Sequence, residues 1–332
     1  MKPIGRLKVS YAMKIGMPSV KTKQYKLLDG TFQVLVQQVG DGSIIKRFEK
    51  TPFPTEDTDV VCPHFLELKW AYGCPFNCAW CYLKGTLRLL PTKTKPVVKK
   101  FDKIEEHLQV FFRKSREKEI LNTGELADSL MYESNSTPFS KFVIPLFESQ
   151  NRHRVLFLTK SNRIENLLSI EKHSRTTVSF SINAEPVSEK WEKAPSVRDR
   201  IEAAKRVTEA GYETRIRIDP IVPISDWKKH YCNIIDFVLK RFVPERITLG
   251  TLRGLQSTIN EARDKSWTEF LSDHSNWGRK ISSNLRRDLY SEVIRYLMKE
   301  YDYDKVALCK ETLAMWKALG MDYTCMRCNC TW

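Results

Sequence analysis

No stretch of the 332 residues approaches the roughly 18 apolar residues of a membrane span, so no bilayer-crossing helix is expected. Met1 to Ser10 carries charge but no apolar signal core, and the expected location is the cytoplasm. No internal repeat is evident, and no helix-turn-helix or zinc-finger reader of nucleic acid is apparent. Acidic side chains are in short supply. The 40 Asp and Glu face 55 Lys and Arg, which leaves a formal net charge of +15. A polyanionic partner, DNA or RNA, follows from that balance. Nine cysteines cannot all pair, and they cluster. In a reducing compartment clustered cysteines more often bind metal than each other.

What is present is a rhythm. Residues 1–60 form a leading region, in which Thr31 to Val39 alternates as a strand and Asp41-Gly42 makes a turn. From Phe65 onward, strands and helices alternate. The strand candidates are Phe65–Trp70, Glu119–Thr123, Val155–Thr159, Thr177–Ile182, Thr214–Asp219 and Arg246–Leu252. Helical spacing lies between them, as at Phe101–Ser115 and Asp199–Ala210. This alternation predicts an α/β protein with a parallel sheet. A partial (β/α)6 barrel over residues 61–270 is the expected form, with active groups at the C-terminal strand ends. Residues 271–332 form a cysteine-rich extension.

Just after the first of these strands, residues 72–83 read YGCPFNCAWCYL. The spacing Cys-x3-Cys-x2-Cys lets Cys74, Cys78 and Cys81 face one iron–sulfur cluster. A fully cysteine-ligated four-iron cluster uses four thiolates; three leave one iron open to a small molecule. Structural zinc, with His64 joining, is the alternative, although zinc sites usually pair two short-spaced doublets.

The triplet, with Trp80 before its third cysteine, resembles the radical S-adenosylmethionine signature. The chain is similar to spore photoproduct lyase and its photolyase-like relatives from about residue 64 to residue 300. The resemblance runs through CAWCYL, FLTK ending at Lys160, SFSIN at Ser179–Asn183, RIEAAKRVTEAGY at Arg200–Tyr212, and Trp277-Gly278-Arg279. It implies a partial barrel holding a [4Fe-4S] cluster and S-adenosylmethionine. Reductive cleavage to a 5′-deoxyadenosyl radical is the implied activity, fed by an electron donor such as flavodoxin or ferredoxin. It also implies contacts to S-adenosylmethionine from Lys160 and Ser181, with Asn183 beside them, and a place for Trp80 against the adenine. Arg217 faces the site or pairs with Asp219 or Glu185. Tyr82 matches a tyrosine of the family's radical relay. One position departs: with Asp128 aligned, Glu125 stands where the hydrogen-donor cysteine belongs, and a carboxylate does not readily donate a hydrogen atom. A related base modification or rearrangement is therefore expected rather than repair of the spore photoproduct itself.

The chain ends YTCMRCNCTW. Cys325, Cys328 and Cys330, with Cys309 upstream, predict a second [4Fe-4S] cluster or a structural zinc. Cys62 is an alternative to Cys309. Basic runs near aromatics, including Trp227, Trp267 and Trp277, predict phosphate contacts and stacking faces for an unpaired or flipped base. Arg279 and Lys280 are the substrate-side candidates. The expected function is a radical enzyme acting on a nucleic-acid base. A radical enzyme acting on a peptide or small metabolite and a non-catalytic zinc protein that binds nucleic acid are the alternatives.

Overall fold

The structure is a computed structural model and describes residues 18–332. Ten strands form one sheet, and their order in space follows their order in the chain. β1 (Val20–Lys26), β2 (Phe32–Val39) and β3 (Ile45–Arg47) are antiparallel. β3 pairs antiparallel with β4 (Leu66–Leu68), where a parallel run begins. It continues through β5 (Ile120–Asn122), β6 (Arg154–Thr159) and β7 (Thr176–Ile182). β8 (Glu213–Ile221), β9 (Ile247–Thr251) and β10 (Val306–Leu308) complete it. The first six parallel strands are those read from the sequence. The seventh, β10, carries Cys309 at its end. Among the described residues β10 and β1 each pair on one side only, so the barrel is open.

The crossover helices follow from apolar spacing. In Phe101–Lys114 the buried Ile104, Leu108 and Phe111 recur every three or four residues, which turns one stripe to the sheet. In Val197–Glu209 the stripe is Val197, Ile201, Ala204 and Val207. That helix starts where the Ser196 side chain accepts the Asp199 amide, satisfying an amide that has no partner within the helix. Packed between helices and barrel interior, β7 is buried at every position. Its two faces still differ. Val178, Phe180 and Ile182 alternate with Thr177, Ser179 and Ser181. In register, Ser181 sits beside Arg217 and Ser179 beside Arg215, so neighbouring strands put polar side chains on one face.

The residues outside this parallel run are tied into it. Val60–Val61 pairs with Glu311–Thr312, joining a segment before the first barrel strand to one after the last. Among the described residues, no helix is long and apolar enough to cross a membrane.

Candidate active site

The three cysteines lie on the loop leaving β4, and backbone hydrogen bonds fasten it. Gly73 N donates to Leu126 O at 2.9 Å, Cys74 N to Thr94 O at 2.9 Å, and Ala79 N to Trp191 O at 2.8 Å. Lys84 Nζ adds a bond to Cys78 O at 2.8 Å. Gly73 has φ +86°, where only glycine is at ease. A Cβ there would stand 2.3 Å from the Lys95 carbonyl oxygen, a backbone atom. Gly73→Ala is therefore expected to cost about 1–3 kcal/mol and to shift the loop next to Cys74. Urea unfolding of the two proteins measures this; an unchanged midpoint would contradict it.

Cys78 and Cys81 line a chamber of about 180 Å³ at the C-terminal ends of the strands. Cys74, just outside it, is held on the same loop. Burial pushes all three thiols up, Cys78 to about 12. A metal must therefore displace their protons to bind. Trp80 also lines the chamber, its ring 5.7 Å from that of Trp191.

Lys160, at the end of β6, reaches Ser181 Oγ at 3.0 Å and Glu192 at 2.8 Å. Its backbone N–H donates to Asp128 Oδ2 at 2.7 Å, and the Thr159 hydroxyl donates to Oδ1 at 2.7 Å. Glu192 is fully enclosed and also accepts from Arg200 at 2.8 Å. Burial alone would raise the Glu192 carboxyl; the Lys160 and Arg200 charges outweigh it and hold it below its ordinary range. At Asp128 burial prevails and the carboxyl is raised, despite its hydrogen bonds.

The opposite wall comes from β8 and the segments beyond it. Arg217 pairs with Asp219, and Arg253 grips the same carboxylate at 3.0 and 2.9 Å. Arg217 thus faces the chamber and is an ion-pair partner at once. Lys310 sits 3.5 Å from Glu125 and within 4.6 Å of the ring centres of Trp277 and Phe48. The Tyr82 hydroxyl donates to the Glu125 backbone carbonyl. Lys160, Arg217, Arg253 and Lys310 line the chamber against the two carboxylates of Glu125 and Asp219, so it suits an anionic ligand.

Other sequence candidates lie elsewhere. Asn183 is wholly buried and committed. It donates to Pro220 O at 2.8 Å and accepts from the Tyr231 hydroxyl at 2.9 Å and the Ala184 amide at 2.9 Å. It shapes the turn behind the chamber rather than lining it. Lys280 is not a substrate contact: it is fully buried, 3.3 Å from Glu311, and donates to the Lys310 carbonyl at 2.9 Å. Desolvating a charge is costly unless it is paired, so this lysine serves the core and fixes Lys310. Arg279 is half-buried and donates to Leu271 O. Cys325 is exposed, contacts Asp322 at 3.3 Å and lines a separate cavity with Trp316 and Met321. Sequence reasoning missed Glu192, Arg253 and Lys310. Arg253 and Lys310 follow the ends of β9 and β10, and only strand-end position could have pointed to them.

An open parallel barrel with a three-thiol loop beyond its first parallel strand, facing a lysine and a serine from later strand ends, defines the radical S-adenosylmethionine class. Residues 65–252 match the family model described as spore photoproduct lyase, more than half of the chain. The chain belongs to that family of radical S-adenosylmethionine enzymes. It is 28% identical over 193 residues to spore photoproduct lyase of Bacillus subtilis, covering 56% of this chain and 55% of that one. With the Clostridium acetobutylicum enzyme it shares 29% over 164 residues, 48% and 47% of the two chains. The chain spans about half the length of the curated relatives it matches. Among solved structures, a spore photoproduct lyase variant with bound AdoMet and dinucleoside spore photoproduct superposes with TM-score 0.60 at 18% identity. That match covers 73% of this chain and 75% of the other. SuiB of Streptococcus suis, bound to its precursor peptide SuiA, gives 0.52 at 13% identity, covering 76% and 49%. At these identities the two structures speak to the fold alone.

Proposed function

We propose that the chain cleaves S-adenosylmethionine reductively and directs the resulting radical at a base in DNA. The observation that carries this reading is the meeting of the cysteine loop with Lys160 and Ser181 around one buried, cationic chamber. Cys74, Cys78 and Cys81 would hold a [4Fe-4S] cluster and leave one iron for the amino acid end of S-adenosylmethionine. That group, when bound and reduced, supplies the electron that splits the sulfonium.

The chain's own residues do the rest. Lys160, anchored by Glu192, presents a fixed ammonium suited to a carboxylate. Trp80 offers an aromatic face beside the cysteines, suited to adenine. Arg217 and Arg253 keep a net positive charge on the far wall after Asp219 has neutralised one of them, which suits a backbone phosphate. Trp277 adds a stacking face for a base taken out of the duplex. The family match and the curated relatives, which are spore photoproduct lyases, favour DNA over RNA.

Glu125 sets the substrate apart from that photoproduct. Paired with Lys310, its carboxylate can hold or move a proton at its oxygens, but it offers no hydrogen atom. A base modification or rearrangement needing no thiol donor fits this wall. In the test, the anaerobic, iron-loaded protein is reduced with S-adenosylmethionine and oligonucleotides bearing candidate bases. Release of 5′-deoxyadenosine together with a mass change in one oligonucleotide is expected. No 5′-deoxyadenosine with any substrate would overturn the radical reading. Its formation with no DNA product would overturn the DNA reading.

A further inference from the structure

Behind the Glu125–Lys310 wall lies a second, smaller chamber whose lining includes Cys62, Cys309, Cys328 and Cys330. These thiols come from three distant stretches of chain. Cys62 follows the short strand Val60–Val61, Cys309 ends β10, and Cys328 and Cys330 belong to the tail. Their convergence is built. Arg215 holds the tail by the carbonyls of Asn329 at 2.7 Å and Thr331 at 2.8 Å, and Arg246 by that of Cys328 at 2.9 Å. Phe48, Phe65 and Trp277 pack around Cys62 and Cys330 and seal that side from water.

We propose that these four thiolates hold a second [4Fe-4S] cluster. Three observations point there. First, N–H donors already aim at the sulfurs: Arg217 stands 3.3 Å from Cys309 Sγ, Arg253 3.7 Å from the same atom, and Asn122 3.5 Å from Cys330 Sγ. Such donors and cations offset the negative charge of a thiolate cluster. Second, buried polar atoms lack partners on this lining. Both amide atoms of Asn329, which is 2% exposed, are unpaired, as are Thr248 Oγ1 and Arg217 Nε. Such atoms are rare in a native interior and mark a missing acceptor or donor. Third, four cysteines line this one chamber, the number of thiolates that a fully cysteine-ligated four-iron cluster uses. Cys325, the sequence's fourth candidate, is replaced by Cys62.

This site shares Glu125, Arg217 and Lys310 with the first chamber, so its occupant lies one layer of side chains from the substrate side. It is independent of the first cysteine triplet, and the test removes that triplet. A variant with Cys74, Cys78 and Cys81 all replaced by alanine is reconstituted anaerobically with ferrous iron and sulfide, then analysed for metal and by Mössbauer spectroscopy. It is expected to retain about four irons per chain. Adding Cys62→Ala, or separately Cys330→Ala, is expected to abolish that iron; adding Cys325→Ala is expected to leave it. Unfolding midpoints of the metal-free proteins, and the milder Cys62→Ser, separate ligand loss from misfolding. The proposal is overturned if the triple variant holds no iron or only zinc. It is also overturned if folded Cys62 and Cys330 variants keep their iron, or if Cys325→Ala loses as much as they do.

Discussion

Cys78→Ala is expected to lower S-adenosylmethionine cleavage by more than about 1000-fold while leaving the fold in place. The two effects separate because the loop is fastened by its backbone. The bonds from Cys74 N to Thr94 O, Ala79 N to Trp191 O and Lys84 Nζ to Cys78 O do not involve the Cys78 side chain. Alanine keeps all three and removes only the sulfur. Cys78 is buried and faces the chamber, so the sulfur is the group that alanine withdraws from it. Rates of 5′-deoxyadenosine formation, iron content and the unfolding midpoint of the metal-free protein report the three quantities separately. A variant that keeps its activity would remove the loop from the reaction. One that loses activity only by unfolding would make Cys78 a core residue.

Glu192→Ala is the substitution expected to cost most stability. The carboxylate is fully enclosed between two cations that are themselves largely buried, and it accepts from Lys160, Arg200 and the Ser188 hydroxyl. Breaking a buried pair from one side strands the other charge, which costs about 3–5 kcal/mol. Here two cations are stranded. Lys160 would also lose the anchor that aims its ammonium into the chamber, so affinity for S-adenosylmethionine should fall beyond the loss of folded protein. Glu192→Gln keeps the shape but not the charge and should fall between. Pairing Glu192→Ala with Arg200→Met should cost less than the sum of the two, since the stranded charges are partners. Equilibrium urea unfolding gives the stabilities of the single and paired variants, and ligand titration gives the affinity.

The same carboxylate gives a pH signature. Its folded-state value lies below its ordinary range, so the folded protein binds its proton less readily than the unfolded chain. Its contribution is therefore complete above about pH 4.3, the ordinary glutamate value, and is lost as pH falls through the folded value. Glu192→Gln should flatten the acid limb of stability against pH. An unchanged limb would show that the ion pair is not intact in solution.

The fold was largely legible because its signals are local. Six strands showed as short apolar or alternating runs, and helices between them as repeats of three or four. The leading strand, β2, showed too, although its place in the barrel sheet between β1 and β3 did not. The cysteine triplet was equally plain: eight residues carry all three thiols, and one loop suffices to bring them together. Lys160 and Ser181 were found through the family resemblance, with which their strand-end positions agree, and Arg217 through its phase in its strand.

What the chain's order alone determined is therefore what neighbouring residues can build: the strand–helix rhythm, the three-thiol loop, and the basic excess. Tertiary structure decided which distant groups meet. It enclosed Glu192 between Lys160 and Arg200, turned Lys280 into the core, set Arg253 and Lys310 in the chamber wall, and drew Cys62 to Cys330 while leaving Cys325 outside. The reason is geometric. Hydrophobic period fixes which way a side chain points from its own strand or helix, whereas sheet register and loop closure fix what it finds there.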